Sequence, residues 1–213
     1  LDFPVVSGNV SFYNETNNKA ISPTPTIGGV GLIKDLDKLV SNNFQEINNK
    51  ILVIGKTAGH LHQSEFFREV MDFDDGPPPE VNLFNEKNNG LIVKKLISKR
   101  LLKSVHDVSS GGIILALSEM CNSMEIGVKI KVPRNNIGLH EYLFGEDQSR
   151  YIVEITEKNI KEASDILKEN SIYFELIGLT QKESFDLDNE FKIKLEELNE
   201  LSVSWFKNYF NEN

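Results

Sequence analysis

The run Tyr151-Ile152-Val153-Glu154-Ile155, followed by the segment 156–170 and then by Ser171-Ile172-Tyr173-Phe174-Glu175-Leu176-Ile177, decides the fold. The middle segment, Thr156 to Asn170, is amphipathic at helical spacing, with Ile160, Ala163, Ile166 and Leu167 on one face. The flanking runs are rich in β-branched and aromatic residues and read as strands. A β-α-β unit results, and it predicts an α/β fold, an α+β sandwich with helices layered on a sheet.

Working upstream, Gly145-Glu146-Asp147-Gln148-Ser149-Arg150 is a polar loop at the mouth of the first strand, preceded by a short helix around Leu139 to Phe144. Two readings stand for this loop. Glu146 and Asp147 are oxygen ligands for a nucleotide or Mg²⁺, or they belong to a hydrogen-bonded junction in which Arg150 neutralises the acids. Gly127-Val128-Lys129-Ile130-Lys131-Val132 alternates and predicts a half-exposed strand. The stretch Val105-His106-Asp107-Val108-Ser109-Ser110-Gly111-Gly112 ends a strand in a glycine-bearing turn. A helix with Ile113, Ala116, Leu117 and Met120 on its buried face follows. Free N–H groups at such a helix start stabilise anions, unless Asp107 or Ser109 caps them.

A helix is predicted from about Val81 to Leu102, with Ile92, Val93, Leu96, Ile97 and Leu101 inward. Before it, Asp74-Asp75-Gly76-Pro77-Pro78-Pro79 is a stiff extended spacer. In Gly59-His60-Leu61-His62-Gln63-Ser64-Glu65, Ser64 caps a short helix whose Phe67 and Val70 or Met71 pack inward. His60 and His62 are two residues apart, a spacing that puts them on opposite sides of a helix and disfavours a shared metal. Ile51-Leu52-Val53-Ile54-Gly55 reads as a short, fully buried strand, and the asparagine-rich residues 34–50 mark a boundary before it. Ile27-Gly28-Gly29-Val30-Gly31-Leu32-Ile33 reads as a buried strand rather than a phosphate loop, because no Lys-Ser/Thr pair or helix start follows its glycines. At the other end, a helix from about Leu195 to Phe210 carries Leu198, Leu201, Val203, Trp205, Phe206 and Tyr209 for docking.

The opening stretch, Val5-Val6-Ser7-Gly8-Asn9-Val10-Ser11-Phe12-Tyr13-Asn14-Glu15, reads as a strand, a tight turn and a second segment. Gly8 permits close backbone approach, Asn9 has an amide oxygen for a hard cation, and Ser11 a hydroxyl for a phosphate or sugar. On turn preference alone this corner is a plain turn.

The chain has 213 residues, 39% of them hydrophobic, enough for a sizeable core. A net charge of −9 disfavours nucleic-acid binding, which needs a concentrated basic surface, but not a single nucleotide. No apolar run nears the roughly 20 residues of a membrane span and no signal-peptide pattern opens the chain, so a cytoplasmic location without membrane association is expected. The lone Cys121 lies in an apolar helical pattern and reads as a small buried hydrophobe. A start at Leu1, inside a strand-like pattern, suggests a piece of a longer protein.

Four motifs in order, the opening corner and the stretches 59–65, 106–112 and 144–150, resemble the carboxy-terminal part of the small PurL family, the synthetase subunit of phosphoribosylformylglycinamidine synthase. The resemblance implies a PurM carboxy-terminal-like domain of the aminoimidazole ribonucleotide synthetase superfamily over 41–213. The last strands of a PurM amino-terminal-like, ATP-binding domain would occupy 1–40. It further implies an ATP- and Mg²⁺-dependent ligase acting on formylglycinamide ribonucleotide, with ammonia from the glutaminase subunit PurQ and with the small subunit PurS as partner. By motif, Gly8 would contact ATP, Asn9 would ligate Mg²⁺ and Ser11 would contact the ribonucleotide. The family's catalytic histidines belong to an earlier half, so no catalytic residue is assigned in this chain. Ser109, Ser110, Gly111, Glu146 and Ser149 are candidates for an auxiliary nucleotide site. Where relatives often have Leu-Gly-Gly-Ser, this chain has Leu61-His62-Gln63-Ser64, and the bulk of His62 disfavours close phosphate approach there. The alternative reading is a non-catalytic module that holds a nucleotide or docks partner subunits.

Overall fold

The computed structural model describes residues 1–10, 13–21, 24–121, 125–133 and 136–211. In chain order its elements are β1 (Glu15–Thr16), β2 (Lys19–Ala20), β3 (Lys50–Ile54), α1 (Glu65–Glu69), α2 (Leu83–Ser98), β4 (Leu102–Asp107), α3 (Gly112–Met120) and β5 (Ile126–Ile130). They continue as α4 (Leu139–Phe144), β6 (Tyr151–Ile155), α5 (Glu157–Glu169), β7 (Phe174–Lys182), β8 (Ser184–Leu187), β9 (Phe191–Lys194) and α6 (Leu195–Asn211).

Seven strands form one sheet in the order β4-β6-β3-β7-β5-β8-β9. The β6-α5-β7 unit is split. Both strands pair antiparallel with β3, which lies between them, so they run parallel to each other. β3 is apolar throughout because both of its faces are covered. Ile51 and Val53 pack with Ile113, Ala116, Leu117 and Met120 of α3 and Tyr142 and Leu143 of α4. Leu52 and Ile54 pack with Ile92, Val93 and Leu96 of α2 and Ala163, Ile166 and Leu167 of α5. The layers are therefore helix, sheet, helix.

The inward faces of α2, α3 and α5 agree with the helical spacing. Elsewhere the structure corrects the expectations. The strand expected to begin at Ser171 starts at Phe174 and runs on to Lys182. Val70 and Met71 are exposed rather than inward, and Leu201, Val203, Trp205, Phe206 and Tyr209 of α6 are also exposed. Ile27, Val30, Leu32 and Ile33 form no buried strand: Val30 is 99% exposed. Residues 1–10, which hold most of the opening corner, form no strand either. Regular pairing begins only with the two-residue ladder of β1 and β2. A strand is stable only with a partner for its backbone groups, and apolar alternation alone does not supply one. Among the described residues before Val40, Asp2 pairs with Lys87 at 2.6 Å and Asp37 with Arg100 at 3.8 Å across to the α/β body. Such pairs are weak tethers.

Candidate functional site

Three loops meet at one end of the sheet: residues 55–64 after β3, 108–111 after β4, and 145–150 before β6. They meet because their polar groups satisfy one another. The Asp147 carboxylate accepts backbone N–H groups from Ala58 at 2.9 Å, Gly59 at 2.8 Å and His60 at 3.2 Å. These three amides form a nest for an anion, and the anion is supplied by the chain itself. Arg150, only 1% exposed, donates to Asp147 O (3.1 Å), Gly145 O (2.6 Å) and Thr57 Oγ1 (3.3 Å). Its guanidinium also lies 3.8 Å from the Asp147 carboxylate. Burial pulls the Arg150 pKa down, and the charge of Asp147 opposes that pull.

Glu146 Oε1 accepts from Glu65 N and from Gly111 N, both at 2.8 Å, so one carboxylate serves the starts of α1 and α3. Neither Asp107 nor Ser109 caps α3 by its side chain. The amide is met by Glu146 from another loop, which is a correction to the local capping expected. Ser64 does cap α1 as expected, accepting from Phe67 N at 3.2 Å. Gly112, with φ +70°, packs so closely that an added Cβ would lie 2.6 Å from Leu143 O and 2.8 Å from Gly145 O. Of the five residues expected for an auxiliary nucleotide, Ser109 and Ser110 are exposed and Gly111 is buried beside Glu146. Ser149 donates to Glu86 Oε2 at 2.7 Å and accepts from Asn89 Nδ2 through its carbonyl at 2.8 Å.

Beside this junction opens a cleft of about 600 Å³, lined by Lys56, His60, His62, Asn82, Asn85 and Gln148 among others. Its size is that of small-molecule sites. Lys56, Asn82 and Asn85 were not singled out by sequence reasoning, because no motif joins a residue after one strand to the start of a helix 26 positions later.

Gly8 and Asn9 lie exposed in the segment before β1, and among the described residues, chain neighbours aside, nothing stands within 4 Å of the position a Gly8 Cβ would occupy. Ser11 lies outside the described residues. Among the described residues, no group of three or more His, Cys, Asp or Glu could hold a metal ion. One amide oxygen on Asn9 is not a divalent-cation site by itself. Among the described residues, no helix is long and apolar enough to cross a membrane.

The family described as "AIR synthase related protein, C-terminal domain" matches residues 46–187. The chain is similar to the phosphoribosylformylglycinamidine synthase subunit PurL of Pelagibacter ubique, with 51% identity over 98% of this chain and 29% of that protein. The Bartonella quintana subunit PurL is 38% identical over 100% of this chain and 29% of its own length. The chain thus spans about 29% of the length of these curated relatives. Among solved structures it is similar in fold to Thermotoga maritima PurL complexed with FGAR, at TM-score 0.63 and 18% identity over 76% of this chain and 30% of that one. Thermotoga maritima PurL complexed with ATP is similar too, at TM-score 0.59 and 17% identity over 76% of this chain and 27% of that one. With two thirds of its residues inside one family match and the expected sandwich in place, the chain belongs to the AIR synthase related proteins as a carboxy-terminal domain of that family.

Proposed function

We propose that this chain is the carboxy-terminal part of a phosphoribosylformylglycinamidine synthase. In that reaction ATP, ammonia and formylglycinamide ribonucleotide give formylglycinamidine ribonucleotide, ADP and phosphate. The observation that carries the reading is the 51% identity to a PurL subunit across 98% of the chain. On this reading, residues 1–40 close the preceding ATP-binding subdomain and residues 41–213 form the second carboxy-terminal-type subdomain. The exposure of Val5, Val6, Val10 and Val30 supports the division, since apolar extended segments without a sheet are suited to pairing elsewhere. Gly8 would then approach ATP, Asn9 would give one oxygen to Mg²⁺ and Ser11 would meet the ribonucleotide. Phosphoryl transfer needs metal and hydrogen-bond donors to offset negative charge, and those are the groups these residues bring. A glutaminase subunit would deliver the ammonia and a small PurS-type subunit would complete the assembly, in the cytoplasm.

A second reading, a module that holds an auxiliary nucleotide, is favoured by Ser109 and Ser149 lining one small cavity with Gln148. In this reading a phosphate would have to share Gly111 N with Glu146.

The experiment joins this chain to the amino-terminal part of the Pelagibacter subunit and assays ammonia-dependent ADP release with the ribonucleotide. Activity in the joined protein and none in the 213-residue chain alone supports the first reading. Turnover by the chain alone, or an inactive joined protein that is folded, overturns it.

A further inference from the structure

The segment Asp74–Pro79 carries three prolines and lies along one side of the 600 Å³ cleft, with Pro79 and Glu80 in its lining. Three consecutive carbonyls of this strap face three side chains of one loop. His62 Nδ1 lies 3.4 Å from Asp75 O, Gln63 Nε2 donates to Gly76 O at 3.2 Å, and His60 Nε2 lies 3.0 Å from Pro77 O. Each ring nitrogen must carry its proton to bond a carbonyl. Among the described residues, no backbone–backbone hydrogen bond holds residues 74–81. Gly76, at φ +101°, lies against the imidazole so closely that an added Cβ would stand 2.3 Å from His62 Nδ1. The far side of the same ring is fixed by aromatic packing, 5.5 Å from Phe67 and 6.0 Å from Phe73 between centroids.

We propose that the strap Asp74–Pro79 is a movable wall of the cleft, held in its drawn-in position by a latch of His60, His62 and Gln63. Prolines make the strap stiff, so it moves as a unit rather than crumpling. Its hold consists of side-chain hydrogen bonds at an exposed surface, individually weak against solvent, and no ladder has to unzip for it to leave. The turning points lie on either side. Phe73 is anchored by its amide to Phe67 O at 2.9 Å and by its ring against Phe67, so the strap swings from the residue after it, and the α2 N-cap Asn82 begins the rigid helix beyond. Release of the strap breaks only side-chain bonds of the loop, whose backbone amides at Ala58, Gly59 and His60 stay on Asp147.

The test places nitroxide labels on Glu80→Cys, beside the strap, and on Lys161→Cys, on the exposed face of α5. Cys121 is 2% exposed with its thiol pushed up to about 12, so it does not compete for label. Electron–electron distance distributions are compared for the labelled 213-residue chain with the latch intact, with His60→Ala plus Gln63→Ala, and with Gly76→Ala. The intact latch should give one narrow distance. The latch variant should give a broadened or bimodal distribution, and Gly76→Ala, which keeps every donor but collides with the His62 ring, a displaced one. If the double variant does not fold, Gly76→Ala alone decides. The same narrow distance in every folded variant overturns the proposal.

Discussion

Asn49 places its side-chain amide 2.6 Å from Oε1 of Glu154, a carboxylate with no exposed surface in the middle of β6. Three further donors complete the cage: Gln45 N at 2.8 Å, Glu46 N at 3.0 Å and Ser104 Oγ at 2.9 Å. A buried carboxylate is tolerable when its lone pairs are all used, and this one ties the chain entering β3 to both β4 and β6.

Glu154→Gln should therefore destabilise the fold by about 2–3 kcal/mol, because an NH₂ group replaces one acceptor and faces backbone donors. Urea denaturation measures it. A loss under about 0.5 kcal/mol would mean that the cage carries little of the fold.

Asp147→Ala should cost more, about 3–5 kcal/mol, since it strands three backbone amides and leaves Arg150 buried beside no carboxylate. The exposed pair of Lys99 and Glu162, at 2.9 Å, is the control, and Glu162→Ala should cost less than about 1 kcal/mol.

Two glycines should behave oppositely. Gly112→Ala must accept a left-handed backbone and contacts under 3 Å with two carbonyls, a loss of at least about 2 kcal/mol in melting experiments. Gly8→Ala meets nothing within 4 Å and should leave stability unchanged in this chain, so any loss of activity it causes in the joined protein reports on ligand approach.

Burial pushes the Cys121 thiol up from 9.0 to about 12. The unfolded thiol ionises first as pH rises, so this group's contribution to stability is fully present below pH 9 and is lost between there and about 12. A thiol reagent at pH 8 should leave the native chain unmodified and react once denaturant is added. Rapid reaction of the native chain would contradict the burial.

Much of the sandwich was legible in the sequence because its elements cover themselves locally. The α3 spacing named Ile113, Ala116, Leu117 and Met120, and all four are buried. The apolar run of β3 announced a strand covered on both faces. What failed depended on partners outside the segment being read. The valines of the opening corner and the run from Ile27 to Ile33 have strand composition but pair with no strand among the described residues. Glu146 caps α3 from a loop 35 residues away, which no local capping pattern discloses. Glu154 did carry a signal, a lone acid inside Tyr-Ile-Val-Glu-Ile, but its donors come from 50 to 109 positions away. β8 and β9 were not foreseen, since Ser184–Leu187 and Phe191–Lys194 are too short and mixed to show a period.

On the function proposed for this chain, Asn9 of the opening corner would lend one metal ligand to a phosphate-transferring pocket that the rest of a longer synthetase completes. The direct measurement is ammonia-dependent ADP release by the joined protein across a Mg²⁺ titration, with Asn9 or with Asn9→Ala. The account expects the alanine variant to lose activity by at least about tenfold, the size of one lost charge-assisted contact, and to need more Mg²⁺ for what remains. An Asn9→Ala protein with the same rate and the same Mg²⁺ dependence would contradict it.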